Sequence, residues 1–129
     1  MAIDLFDRAA KVATLARKGG LKGSQVERLI EVYEGVSDPE EAYKTLIVFI
    51  YRQASRKERG KEIIDRTTAN VLAETIEQIH KEMGREGIRK FLGLFKWMFE
   101  SLELVRGRVN PVDKFEDYVN TLRSALPRR

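Results

Sequence analysis

Few residues of this sequence have a type and spacing that could do chemistry. His80 is the single histidine, and with Glu77 it forms a Glu-x-x-His pair of the kind that binds metal in di-iron helical bundles. Such a site requires a second pair on another helix, which one histidine cannot supply. The chain has no cysteine and none of the nucleophile-elbow, zinc-protease or phosphate-loop motifs. The sequence therefore predicts no enzyme, no metal site and no cofactor.

A basic run is the strongest chemical signal. The stretch YRQASRKERGK, residues 51–61, has five bases against one acid. The bases are Arg52, Arg56, Lys57, Arg59 and Lys61. On a helix over residues 39–58, Arg52, Arg56 and Arg59 share one face over about 10 Å, a spacing that suits contact with successive phosphates. An equally open interpretation is a basic helix end that only complements the helix dipole.

Two further groups of bases are predicted to support the same contact. The first helical segment and the turn after it supply Arg8, Lys11, Arg17, Lys18 and Lys22. A later segment supplies Arg85, Arg89 and Lys90. Part of the first group is neutralised locally, because Asp4 and Asp7 each precede a base by four residues on a helix. The prediction is a nucleic-acid-binding surface made from three separate parts of the chain.

Charge is distributed unevenly along the chain. The 129 residues carry 24 bases and 20 acids, which gives a net charge of +4. Residues 1–23 have five bases and two acids, residues 24–43 have one base and six acids, and residues 44–61 have six bases and one acid. A polyanion contacts such segments locally, so the weak net charge does not exclude nucleic-acid binding.

Composition indicates a soluble globular domain. Hydrophobic residues make up 43% and charged residues 34%, which excludes a disordered chain, and the length suffices for one modest core. The apolar runs are too short to span a bilayer, and the start, MAIDLFDRAA, has acids where a signal peptide has bases. We therefore expect a protein without a transmembrane segment.

Apolar residues repeat with a helical period, and glycine and proline lie between the periodic segments. Helices are predicted over residues 3–18, 25–34, 39–58, 61–83, 85–106 and 111–126. Asp38–Pro39 and Asn110–Pro111 are cap-then-proline helix starts. The predicted fold is an all-α bundle of about five to six helices, with a basic N-terminal helical arm at residues 1–23 and the bundle at residues 24–129.

Two apolar surfaces are predicted to contact other molecules. Residues 1–18 have a broad apolar face followed by KGGLKG, so the arm is expected to pack on a neighbouring subunit or on nucleic acid. In residues 85–106 the apolar arc exceeds half of the helix circumference, which is typical of a central helix or of one that also faces a partner. The strip of Leu94, Trp97 and Leu104 beside it is the predicted oligomer interface.

Two stretches resemble a known family. SQVERLIEVYEGVSDPEEAYKTLIVFIYRQASRK joins a short helix, a Y-x-G turn, a proline start and a long apolar helix with a basic end. IRKFLGLFKWMFESLELVRGRVNPVDKFEDYVNTLRSALP joins an aromatic-rich helix, a glycine turn, Asn-Pro and a closing amphipathic helix. In this order, over residues 24–127, they resemble the major coat proteins of the rod-shaped and filamentous double-stranded DNA viruses of hyperthermophilic archaea.

The resemblance implies a helical bundle with an N-terminal arm that dimerises with itself or with a related coat protein. It also implies non-specific wrapping of double-stranded DNA in a helical virion, assembled in the host cytoplasm. The rod-shaped members are richer in Gly, Ala and Ser, less charged and longer in the arm, so the filamentous branch is favoured.

Two other functions stay open from the sequence. The chain also resembles the small all-helical subunits of type III CRISPR effector complexes, which implies a cytoplasmic protein that lines the backbone of a target RNA. A helical adaptor that binds an acidic protein face is the third hypothesis. The nucleic-acid hypotheses predict steep salt dependence without sequence preference, whereas the adaptor predicts one stoichiometric protein partner.

Overall fold

The computed structural model describes residues 2–126 as an all-α protein, which confirms the predicted fold class. Within that range there are five α-helices and one small hairpin, and the structure is 74% helical. Met1 and residues 127–129, which the predicted arm and bundle segments include, lie outside the described residues. The elements, in chain order, are α1 (Leu5–Lys18), α2 (Gly23–Glu34), α3 (Pro39–Ser55), β1 (Lys57–Glu58), β2 (Lys61–Glu62), α4 (Arg66–Ser101) and α5 (Phe115–Ala125), with a short 3₁₀ turn, Leu102–Leu104, after α4. None of these helices is both long and apolar enough to cross a bilayer.

The central element is α4, which the sequence predicts as two helices separated at Gly84. The separation is a kink, because Gly84 has φ 64° and ψ −151° and the helix continues directly after it. A side chain at this position would be strained, so glycine is required here. Both halves of α4 line the core, with Leu72 and Ile76 before the kink and Phe91 and Phe95 after it. The other long helices, α1, α2 and α3, all pack on α4.

The first helix is part of this bundle, which corrects the expectation that residues 1–18 pack on a neighbouring subunit or on nucleic acid. Most of its apolar face is buried within its own chain, including Ala9, Val12, Ala13 and Ala16, whereas Phe6 at its start is 42% exposed. The small alanine side chains allow α1 to lie close to α4, against which it makes its most extensive contact. The segment is therefore a core helix in this chain and not a separate arm.

A two-stranded hairpin replaces the predicted end of the third helix, which is a second correction. α3 ends at Ser55 rather than at residue 58, and β1 pairs with β2 in antiparallel orientation. The turn between the strands is Arg59–Gly60, with φ values of 55° and 81°. Positive φ at both central residues defines the type I′ hairpin turn. Arg52, Arg56 and Arg59 therefore do not share one helix face, as the sequence predicted.

The last helix begins at Phe115, later than the Asn110–Pro111 signal predicts. Side chains of α1 hold the segment that precedes it. The backbone N–H of Val112 donates to the Thr14 hydroxyl at 3.1 Å, and the backbone N–H of Phe115 donates to the Asp7 carboxylate at 2.8 Å. Asp7 thus satisfies an N-terminal amide of α5 from another helix, and this tertiary cap sets where α5 starts.

Candidate nucleic-acid interface

The structure brings two of the three predicted basic groups together at one end of the bundle. The turn after α1 lies against the hairpin, since the Lys22 ammonium is 2.9 Å from the Glu58 carboxylate. The Gly20 backbone, at φ 78°, lies directly against the Lys61 ammonium, and a Cβ added there would collide with it. Lys22, Arg59 and Lys61 line one cavity of about 280 Å³ between these elements. Bases from distant parts of the sequence are therefore neighbours.

Seven exposed bases make up this surface, which we call the basic end. Its members are Lys18, Lys22, Arg52, Arg56, Lys57, Arg59 and Lys61. Apart from Lys22, none of them has an acidic partner within 4.0 Å among residues 2–126. The hydrogen bond from Lys22 holds the pKa of Glu58 below its ordinary value. Exposed cations at one end of a small domain create a positive potential that attracts polyanions.

Core contacts hold the basic end in place. Gln53, near the end of α3, is buried, and its side-chain N–H donates to the side-chain carbonyl oxygen of Gln25 on α2 at 2.8 Å. After the hairpin, the backbone N–H of Ile63 donates to the carbonyl of Arg56 at 3.1 Å, and Ile64 is buried in the core. The hydrogen bond between the two glutamine side chains is partly buried and Ile64 is fully buried. Disrupting either is costly, so the hairpin is anchored on both sides.

Two other predicted bases of α1 have internal partners. The Arg17 guanidinium lies 2.8 Å from the Glu103 carboxylate and 5.9 Å from the centre of the Phe99 ring. Lys11 lies 4.0 Å from Asp113. These acids offset the positive charge locally, so both bases contribute less to the attraction of an anion.

The predicted base Arg85 stabilises the fold at the kink of α4. Its guanidinium donates to the backbone carbonyls of Val36 at 2.9 Å and Ser37 at 3.2 Å, just beyond the C-terminus of α2. It also lies over the Tyr33 ring, 4.9 Å from the ring centre. Burial of Tyr33 is the main cause of its raised pKa. Arg85 therefore joins α2 to α4 and does not belong to the basic end.

The other two predicted bases of α4 also lie apart from the basic end. Arg89 makes two hydrogen bonds to the Glu34 carboxylate, at 2.8 and 2.9 Å, which lower the pKa of Glu34 and raise that of Arg89. Lys90 lies 5.8 Å from the centre of the Phe6 ring, near the start of α1. Arg8 is also near this start, about 20 Å along the helix from the turn that meets the hairpin.

The predicted oligomer interface is partly available to a partner. Trp97 is 71% exposed and Leu104 is 50% exposed, whereas Leu94 is partly buried and packs on the core. Trp97 is two positions after the buried Phe95, which places it on the opposite face of α4. Tryptophan is among the residues that contribute most to contacts between proteins, so the exposed Trp97 ring is the candidate anchor for a partner.

Sequence reasoning missed one base beside the basic end. Arg66 is the first residue of α4, and its side chain is 86% exposed, with Glu62 at 3.9 Å. It lies within residues 62–83, which have two bases and five acids. Because this segment is negative overall, the charge distribution along the sequence does not indicate a basic surface there. The available signal was the preceding Asp65, which caps α4 by accepting a hydrogen bond from the Thr68 backbone at 2.7 Å.

The single histidine packs between two helices. His80 Nε2 lies 2.7 Å from a Glu40 carboxylate oxygen, and its ring stacks on Tyr43 with the ring centres 4.1 Å apart. Glu77, its neighbour in the Glu-x-x-His pair, lies 3.3 Å from Lys81 instead. Within residues 2–126, no group of three or more histidine and carboxylate side chains is placed to hold a metal ion.

Comparison with protein-family models, with curated proteins and with solved structures finds no match to this chain. The function is therefore inferred from the charge layout and from the exposed surfaces described above.

Proposed function

We propose that this protein is a structural nucleic-acid-binding protein. It binds the phosphate backbone of duplex DNA through the basic end, without regard to base sequence. It assembles with further copies, or with a related coat protein, through the surface around Trp97. In the form that the coat-protein resemblance suggests, it wraps double-stranded DNA in a helical virion.

The observation that carries this proposal is the concentration of unpaired cations in the basic end. Arg17, Arg85 and Arg89 have partners within the chain, whereas six bases of the basic end have no acidic group within 4.0 Å among the described residues, although Lys57 and Lys61 lie opposite Glu62 and Glu58 in the hairpin. Arginine makes charge-assisted and often bidentate hydrogen bonds to phosphate, and each contact releases counterions from the nucleic acid. Phosphate contacts position a protein on its ligand but carry no base information, so binding is expected to be non-specific.

Anchoring of the hairpin supports the proposal further. Its bases lie on elements that are fixed by Gln53 and Ile64, so less conformational entropy is lost on binding than with a flexible basic tail. Trp97 lies on α4, the central element, so a partner bound there would be held in a defined orientation. A fixed binding surface and a fixed assembly surface are what a regular coat requires.

The test is a salt titration with two unrelated DNA duplexes of equal length. We expect the same affinity for both duplexes. The plot of log K against log salt should be linear, with a slope of up to about −5 if all six bases without a salt bridge contact phosphate. Sedimentation of the mixture should show species larger than one protein per duplex. Binding that is absent, or that does not depend on salt, would contradict the proposal.

Two further outcomes favour the other hypotheses. Binding to RNA without any binding to duplex DNA would support the subunit that lines an RNA backbone. Stoichiometric capture of one acidic protein, with no nucleic acid retained, would support the adaptor. Electron microscopy of the protein on long duplex DNA should show regular filaments if it is a coat protein.

A further inference from the structure

A groove lies beside the basic end, between the last turns of α3 and the first turns of α4. Its volume is about 410 Å³, which is within the range of small-molecule sites, about 300–1,000 Å³. The lining residues are Tyr51, Ala54, Ser55, Arg66, Ala69 and Asn70. Apart from Tyr51 and Arg66 these side chains are small, so a flat group has room to enter.

The aromatic ring in this groove is held in place and half exposed. Tyr51 is 44% exposed, and its hydroxyl donates to the Asn70 side-chain carbonyl at 2.9 Å. This bond fixes the ring between the two helices. It also uses the acceptor of the Asn70 amide, which leaves the two N–H donors of that amide for a ligand. Val48, one helical turn earlier, is 68% exposed and extends the apolar surface.

We propose that this groove binds an unpaired nucleobase, which stacks on Tyr51 and accepts a hydrogen bond from Asn70. The proposal rests on the backbone-binding function and adds to it a preference for unpaired nucleotides of DNA or RNA. In duplex DNA the bases are paired and stacked on one another, so only a single strand or an open region supplies a base to the groove. Aromatic side chains next to cationic grooves are the usual means of binding single strands.

Charge complementarity identifies the occupant. Arg66 lines the groove together with Tyr51, so a cation lies beside the aromatic ring, and Arg52 adds positive charge at the same end of α3. A nucleotide carries a planar base and a phosphate, and it complements both the ring and the cations. An apolar side chain of a protein partner would fill the groove but would use neither the exposed Arg66 guanidinium, which has only Glu62 at 3.9 Å as an acidic partner among the described residues, nor the N–H donors of Asn70.

The experiment compares ligands with and without accessible bases. The probes are a short oligothymidylate, an abasic sugar–phosphate strand of the same length and charge, an oligouridylate, and a duplex. The unaltered protein should bind oligothymidylate more tightly than the abasic strand. The oligouridylate distinguishes RNA from DNA as the source of the base. Equal affinity for the base-containing and abasic strands would overturn the inference.

Variants of the ring supply the second measurement. Tyr51→Ala and Tyr51→Leu should each weaken oligothymidylate binding at least about fivefold, because stacking is lost, and leave abasic-strand binding unchanged. Tyr51→Phe keeps the ring and should keep most of the affinity. Phe115→Ala is the matched control, since Phe115 is a similarly exposed aromatic residue near the start of α1. This variant should leave the affinity for both strands unchanged.

The outcomes also separate this inference from the proposed function. Equal losses on both strands would assign Tyr51 to backbone binding or to the fold, and no loss on either strand would exclude stacking; both results overturn the inference. If duplex DNA binds with steep salt dependence but the bases add nothing, only the inference fails. If no nucleic acid binds at all, the proposed function fails with it.

Discussion

Replacing Arg56, Arg59 and Lys61 together by glutamine tests the basic end directly. The three bases are exposed and form no salt bridge within 4.0 Å in the described chain, although Glu58 lies opposite Lys61 in the hairpin. Because they are exposed, their charge is available to a phosphate. Each lost phosphate contact reduces the slope of log K against log salt by about 0.9, so the slope should shrink by roughly two to three units. Between about 50 and 200 mM salt, the unaltered protein should therefore lose roughly 40-fold more affinity than the variant.

A second triple variant removes the same charge from the other end of α1. Arg8, Lys90 and Lys114 lie near the start of this helix, where Lys114 is 3.8 Å from Asp7. The length of α1 exceeds the screening distance of about 8 Å at physiological salt, so these bases should influence the basic end little. Anisotropy titrations on two duplexes measure both slopes. Equal slopes for the two triple variants, or an unchanged slope in the first, would refute a localised phosphate contact.

Three other outcomes follow from the structure. Trp97→Ala should weaken self-association by roughly 30-fold without loss of helical content, as measured by sedimentation and circular dichroism; a tight monomer for the unaltered protein would contradict this. Removal of residues 1–18 should unfold the protein, because the buried face of α1 is lost from the core, and a truncated protein with intact helical content and a cooperative melt would refute it. Arg89 lowers the pKa of Glu34, so this pair stabilises the fold above the ordinary glutamate pKa, and that contribution is lost as pH falls. Arg89→Gln should therefore flatten the acid side of the stability profile in denaturation at several pH values, and an unchanged profile would show that the pair contributes nothing.

Helix starts and interruptions were predictable where a local signal decides them. Asp38 caps α3 as predicted, by accepting a hydrogen bond from the Glu41 backbone at 3.0 Å. Gly84 interrupts the helical path at the predicted place, although as a kink. The end of α3 is not predicted correctly, because a glycine after a helical period is typical both of a helix end and of a hairpin turn. Here Arg59–Gly60 forms the turn between two Lys-Glu strands. Arginine rarely adopts a positive φ, so Arg59 at φ 55° was not predictable from the sequence.

The partners of charged and apolar residues were not predictable, because they lie far away in the sequence. The apolar face of α1 showed that it must be buried but gave no sign of what covers it. Arg17 and Arg89 look as available in the sequence as Arg56 does. Arg17 is paired with Glu103, which is 86 residues away, and Arg89 with Glu34, which is 55 residues away. Arg56 has no such salt bridge among the described residues, and the sequence alone does not show this difference. Only tertiary structure therefore separates the basic end from the bases that stabilise the fold.

The pairing of α1 with the late part of α4 affects how the chain folds during synthesis. Phe6 lies beside Lys90, and Arg17 beside Phe99 and Glu103, so α1 packs against residues that are translated much later than α1 itself. At about 5–20 residues per second, the 86 residues between Arg17 and Glu103 take roughly 4 to 17 seconds to translate. The contacts of α1 with the late part of α4 are missing during that interval. A nascent chain whose translation stops before this part of α4 therefore leaves part of the apolar face of α1 exposed, which makes it a substrate for chaperones and proteases.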